Sequence, residues 1–426
     1  MLILVSAVVL LLSGPWAGVG YCQQQASAPP TVRIDLQRAI QLALDHNHAL
    51  LAAKTQVTQS KAQELTASLR PNPVLTWNDF FLPAFTPSQM NGDYITNASE
   101  FDVLFSYTLE RGRKRKWRAQ NARDNTAVVR SQVQDNARAL TFSVAQQFIN
   151  VLLAESSLTF AQQNLSSFEQ SLKVSQERYQ KGAISEGDLL KIKLQRLQFQ
   201  EDVSSAKLAR QQALDSLRDL LGYESVPRNY DVAGNLAYTP IQGSVEDFQS
   251  KALNLRPDLR AANQAVIAAR SNYMLARANG KRDVTLTSGY SHVAAANDAS
   301  FSLGMEIPLF NRNQGEIART HAAITQSKEA KSAAQQAVLT DVSTAYDAVK
   351  TGEGIIQLYQ SGYLKDSRES LDISRYAYQR GAASLLDFLD AERSYRSIEL
   401  TYRQTLATYM LAVEQLHEAV GERQMP

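Results

Sequence analysis

Two aspartates have the type and spacing that chemistry would need. In "LLDFLDAERS" (385–394), Asp387 and Asp390 stand three residues apart, which on a helix puts both carboxylates on one face. Like charges held close raise their own pKa values and gain most from binding multivalent cations. The backbone dipole alone also favours acidic side chains in a first turn, an alternative that explains Asp387 well and Asp390 less well. Other chemistry has weaker footing. The five histidines, His46, His48, His292, His321 and His417, form no H-E-x-x-H pattern and no nucleophile constellation. "DHNH" (45–48) contains ligand types, but solvated polar residues at a helix break suit it better. "GEG" (352–354) is too short for a phosphate loop. A single cysteine, Cys22, leaves no disulfide framework and no cysteine metal cluster. No catalytic residue, metal ligand or cofactor is therefore expected, and the protein is not read as an enzyme.

A third group is basic. "RGRKRKWR" (111–118) puts Arg111, Arg113, Lys114, Arg115, Lys116 and Arg118 around Trp117, a run that alone would suggest nucleic acid. The whole chain argues otherwise. Its 426 residues carry 44 Lys+Arg against 42 Asp+Glu, a net charge of +2, whereas a polyanion binder is basic throughout. The opening "MLILVSAVVLLLSGPWAGVG" runs apolar from Leu2 to Leu12, breaks at Ser13-Gly14-Pro15 and ends in small residues. It resembles a secretory signal cleaved near Gly20, although it lacks the usual basic start. A protein that leaves the cytoplasm does not meet genomic DNA. Tyr21 stands where lipoprotein processing prefers a small residue, so Cys22 is expected to be incidental, with lipidation as the alternative.

The elements that position these residues follow from what the chain excludes. Tracts 88–226 and 309–425 contain no proline and are rich in Ala, Gln, Leu, Glu, Lys and Arg, which predicts very long helices. Val338, Val342, Ala345, Val349, Gly352, Ile356, Tyr359 and Tyr363 advance by alternating fours and threes, a coiled-coil seam. Residues 113–179 as one helix would span about 100 Å, too long a rod for a compact domain. Alternation of period two marks strands. Phe101, Val103, Phe105, Tyr107 and Leu109 form one apolar face, and Phe301, Leu303, Met305, Ile307 and Leu309 another. "VLTWN" (74–78) and "VTLTSGYSH" (284–292) precede them as hairpin partners.

The chain also repeats itself. "RYQKGAISEGDLLKIKLQ" (178–195) aligns without a gap on "AYQRGAASLLDFLDAERS" (377–394), and "ALDHNHALLAA" (43–53) on "ALNLRPDLRAA" (252–262). The alignment pairs Asp188 with Asp387 and Lys191 with Asp390. Each half holds a helix, a hairpin, a long helix, a glycine turn and a return helix. The turns, Gly182, Ala183 and Ser185 and their matches Gly381, Ala382 and Ser384, fall where the long helices must reverse. Two shorter helices end to end equal one long one, so the whole is a helical tube carrying strands at its far end. Four strands cannot close a barrel, and open edges are not tolerated in lipid.

"RPNPVLTWN" (70–78), "IPLFNRNQGEIA" (307–318), "RPDLRAA" (256–262) and the paired turns resemble the TolC-like outer-membrane efflux channels, most of all the branch associated with heavy-metal export. The resemblance implies a mainly α fold with a small β part. Three chains would pool four strands each into one outer-membrane β-barrel above an α-helical tunnel in the periplasm of a Gram-negative-type bacterium. It also implies a homotrimer working with a periplasmic adaptor and an inner-membrane pump of the resistance-nodulation-division type. Asp387 and Asp390 become a periplasmic gate ring, Tyr378 and Asp188 a closed-state latch, and the basic run with Trp117 an anchor on outer-membrane lipid. The expected organisation is a signal peptide (1–20), a linker (21–35), a first repeat (36–222), an equatorial linker (223–246), a second repeat (247–421) and a tail (422–426). Within the repeats, hairpins lie at about 73–110 and 283–310, long helices at 113–179 and 313–378, tips at 180–186 and 379–384, and return helices at 187–221 and 385–420. The rival from another class is a secreted coiled-coil scaffold or adhesion protein.

Overall fold

The computed structural model describes residues 32–80 and 82–422, so the signal segment, Cys22 and the last four residues lie outside the described residues. A two-residue strand, β1 (Arg33–Ile34), leads into α1 (Leu36–His46) and α2 (His48–Ser68). The first hairpin is β2 (Val74–Phe80) and β3 (Glu100–Leu109), with the short α3 (Gly92–Asn97) in its loop. Then α4 runs unbroken from Lys114 to Gln180 and returns as α5 (Glu186–Leu221). After β4 (Asp231–Val232) the plan repeats: α6 (Val245–Leu255), α7 (Pro257–Asn279), β5 (Val284–Val293), β6 (Ala296–Met305), α8 (Gln314–Leu358), α9 (Leu364–Arg380) and α10 (Leu385–Val420).

Three differences from the expected elements have physical causes. The first helix expected in each repeat is broken in two, at Asn47 and at Arg256. Asn47 caps α2 by accepting from the Leu50 N–H (3.0 Å), and Pro257 opens α7. The long helix expected over 313–378 is also interrupted. Tyr359–Tyr363 form a wide π turn in which Gly362 has φ 154°, a conformation that L side chains rarely adopt. The turn shifts the helix phase, so the coiled-coil seam is buried from Val338 to Ile356 and ends there. Tyr359 turns instead toward Tyr402, 5.6 Å between ring centres, and Tyr363 is exposed. Gly362→Ala should lower the unfolding temperature, by about 1 kcal/mol or more of stability. Gly354→Ala, in regular helix with nothing near, should be neutral or stabilising; equal melting of both variants would contradict the assignment. Third, the two linkers pair with each other: β1 and β4 form a small parallel sheet, Ile34 opposite Val232.

Three apolar cores hold the rod together. One joins α1, α4 and α5 to the linker through Ile40, Phe148, Leu217 and Tyr230. A second joins α6, α8 and α10 through Phe248, Val342, Tyr409 and Leu416. The third lies near the turns and crosses the halves, with Phe168, Phe199, Tyr378 and Phe388.

The two hairpins form one antiparallel sheet in the order β2-β3-β5-β6, because β3 pairs with β5 along its whole length. Register places Trp77, Val103, Tyr290 and Ala299 in one row, and Leu75, Phe105, Ser288 and Phe301 in another, on a mainly apolar face. That face is uncovered: Leu75 is 71% exposed and Phe301 75%. The opposite face is mainly polar, with Ser106 bonded to Thr287 (2.9 Å) and Thr108 to Thr285 (3.3 Å). The outer edges of β2 and β6 have no partner among the described residues. No described helix is long and apolar enough to cross a membrane.

Candidate functional site

The turns at the far end of the rod bring most of the expected residues together. Each closes in the same way. Gly182 and Gly381 take left-handed φ (70° and 78°), and the next N–H reaches back to the helix, Ala183 to the Arg178 carbonyl (2.8 Å) and Ala382 to that of Ala377 (2.9 Å). Ser185 and Ser384 then cap the return helices, accepting from the N–H of Asp188 (3.1 Å) and Asp387 (3.2 Å). The two acids answer these caps. The Asp387 carboxylate accepts from the Ser384 hydroxyl (2.7 Å) and N–H (3.1 Å), a full capping box, and those bonds hold its carboxyl below the usual range. Asp390, one turn on, is exposed and paired with Arg393 at 3.2 Å.

Tyr378 is buried where α9 packs on α4 and α10. Its hydroxyl lies 3.2 Å from Ser175 Oγ, and the Arg178 guanidinium sits 5.2 Å from its ring centre and donates to its carbonyl oxygen. Phe388 stacks on the ring with 5.4 Å between centres. Asp188, expected as its partner, is bonded to Ser185 and lies 3.6 Å from Lys191. Tyr378 and Asp188 therefore have different partners, and α4 supplies the tyrosine's. Sequence reasoning missed Arg178, because the repeat places Ala377 opposite it and offers no counterpart. It missed Glu392 as well, a buried acid 3.6 Å from Arg375 whose carboxyl burial pushes up. Its spacing from Leu385 and Phe388, three and then four residues, was the available signal.

At the other end of α4 the basic run divides. Lys114 pairs with Asp283 (2.7 Å), and Arg118 pairs with Glu110 (2.7 Å) while donating to the carbonyls of Ala67 and Leu69. Both tie the sheet's base to the rod. Arg111, Arg113, Arg115 and Lys116 remain exposed, and Lys116 lies 5.6 Å from the Trp117 ring. Two residues of "DHNH" serve the helix break: His46 Nδ1 lies 3.0 Å from the Leu42 carbonyl oxygen, and Asn47 is a cap. No group of three His, Cys, Asp or Glu among the described residues could hold a metal ion.

A rod of paired helices ending in level turns, with an amphipathic, unclosed sheet at its opposite end, is the architecture of an outer-membrane channel subunit. The chain belongs to the outer membrane efflux protein family, which it matches over residues 39–223 and 249–422, one segment per repeat. It is 27% identical to the pyoverdine export outer membrane protein OpmQ of Pseudomonas putida, over 91% of this chain and 86% of that one. To the cobalt-zinc-cadmium resistance protein CzcC of Cupriavidus metallidurans it is 24% identical, over 91% and 90%. A crystal structure of CusC shares its fold, with a TM-score of 0.74 at 24% identity over 94% of this chain and 96% of that one.

Proposed function

We propose that the protein is the outer-membrane duct of a tripartite efflux system and acts as a homotrimer. The observation that carries this is the sheet. Four strands with one bare apolar face and two free edges satisfy neither water nor lipid alone. Three copies supply twelve strands, an even number that can close into a barrel with lipid outside and the polar face around a pore. The rod then continues the pore into the periplasm. Exposed Arg111, Arg113, Arg115 and Lys116, with Trp117, meet lipid headgroups at the barrel's base. An adaptor and an inner-membrane pump of the resistance-nodulation-division type dock at the turns and supply the energy. Heavy-metal cations are the proposed cargo, supported by the resistance protein among the relatives and by the acidic pair at the turns. The duct itself is passive and not an enzyme.

Purified protein in planar bilayers tests this. Conductance should belong to a heat-sensitive trimer recovered from outer membranes; conductance by monomers, or none by the trimer, would refute the duct. The same recording tests the latch. Tyr378→Phe with Arg178→Ala removes both the Ser175 contact and the guanidinium from the ring, and should raise mean conductance several-fold. An unchanged value would leave this contact as packing alone.

A further inference from the structure

The two hairpins close differently at the end of the sheet away from the rod. β5 and β6 are joined by Ala294 and Ala295 alone, whereas β2 and β3 are joined by a long connection that contains α3. Between Asp79 and Glu100 the sequence holds one charged residue, Asp93. Large apolar side chains stand out from this connection: Phe85 is fully exposed, and Leu82, Met90 and Ile95 are each more than half exposed. Four such side chains on one short segment mark a surface that meets something apolar.

The connection leans over the apolar side of the sheet. On that face the last row before it is Asp79, Phe101, His292 and Asn297. His292 stacks on Phe101 with 5.2 Å between ring centres, and its Nε2 lies 2.9 Å from the Ile95 carbonyl oxygen, so α3 is fastened on the apolar side. Its Nδ1 lies 2.8 Å from Asn297 Oδ1, which also accepts from the Tyr290 hydroxyl, so the polar tips of His292 and Asn297 are engaged within the protein. Height points the same way. Counted from Leu109, beside the basic run, the wholly apolar rows on β3 end at Val103, a rise of about 20 Å along the strand and about 16 Å in height at a barrel's tilt. A lipid-facing band is about 25 Å tall, so it passes the His292 row and reaches the connection.

We infer that this connection is a lipid-inserted rim: Leu82, Phe85, Met90 and Ile95 enter the acyl chains of the leaflet away from the rod and complete the band that the strands leave short. This rests on the barrel proposed above. Quenching of a single tryptophan tests it. With Trp16, Trp77 and Trp117 replaced by Phe, Phe85→Trp is reconstituted as the heat-sensitive trimer in phosphatidylcholine vesicles whose acyl chains carry bromine, and Met90→Trp serves as a second probe. The reference is the protein that keeps Trp77 alone, since Trp77 is exposed on the apolar face. Brominated lipid should quench both probes at least half as strongly as it quenches Trp77, and aqueous iodide should quench them several-fold less than free tryptophan. Probes quenched by iodide and not by brominated lipid would put the connection in water and overturn the proposal. Probes shielded from both quenchers would put it against protein and overturn it likewise. Failure of brominated lipid to reach Trp77 would refute the barrel reading itself, whatever the two probes show.

Discussion

Trivalent cations added on the side of the turns should block the trimer's conductance, and Asp387→Asn with Asp390→Asn should raise the blocking concentration at least tenfold. Three copies would place six carboxylates around the narrow end, where multivalent cations neutralise several at once. The capping box complicates the test, since Asp387 serves the helix start as well. Ser384→Ala separates the two roles: it removes the cap and leaves both carboxylates, so block should persist. Block that survives the double asparagine variant would reduce both acids to helix capping and surface pairing. The pH dependence has a definite sign. Hydrogen bonds from Ser384 lower the Asp387 pKa, so its charge persists below the ordinary carboxylate range. Ser384→Ala removes those bonds and should therefore move the loss of block to higher pH than in the parent protein.

The second large effect is expected at Arg256, which is 5% exposed at the break between α6 and α7. Its guanidinium pairs with Asp258 (2.6 Å) and Asp341 (2.8 Å) and donates to the Ala419 carbonyl (3.3 Å), joining the break to α8 and to the last turn of α10. Arg256→Ala would remove the shared partner of Asp258, of the half-exposed Asp341 and of a helix-end carbonyl, a loss of roughly 2–3 kcal/mol. Arg256→Lys keeps the charge but not the two-pronged grip, so it should fall between. The repeat supplies the control. Asn47, at the matching break, makes a neutral bond to the Leu220 carbonyl (3.1 Å), and Asn47→Ala should cost only about 1 kcal/mol. Denaturant unfolding of the detergent-solubilised protein measures all three. Equal losses at both positions would show that the charged clamp adds nothing over the neutral one.

Much of this architecture is written in local periodicity. Proline exclusion and composition marked α4 within one residue at each end, because a helix is set by contacts three and four residues apart. Alternation marked β3 for the same reason at period two, but it placed the last strand too late: β6 runs from Ala296 to Met305, so Ile307 and Leu309 fall beyond it, while the repeat aligned the turns. Asp387 and Asp390 were legible as a pair on one helix start too, since both lie in one short segment.

Local pattern could not choose partners. The small sheet joins residue 34 to residue 232, Lys114 finds Asp283 across 169 positions, and Tyr378 reaches Ser175 across 203. No spacing rule encodes pairs so far apart; they meet only once two rods have packed side by side in one register. The π turn belongs to the same class, since a helix-compatible "YQSGY" gives no local signal until Gly362 must absorb a change of phase. The sequence by itself therefore determined the types of the elements, their order and their two-fold plan, while the breaks at Asn47, Arg256 and Gly362 came from the tertiary structure. The tertiary structure decided that Tyr378 faces α4, that Lys114 and Arg118 are tied to the sheet's base, and that an apolar face is left bare, because those outcomes depend on which surfaces touch.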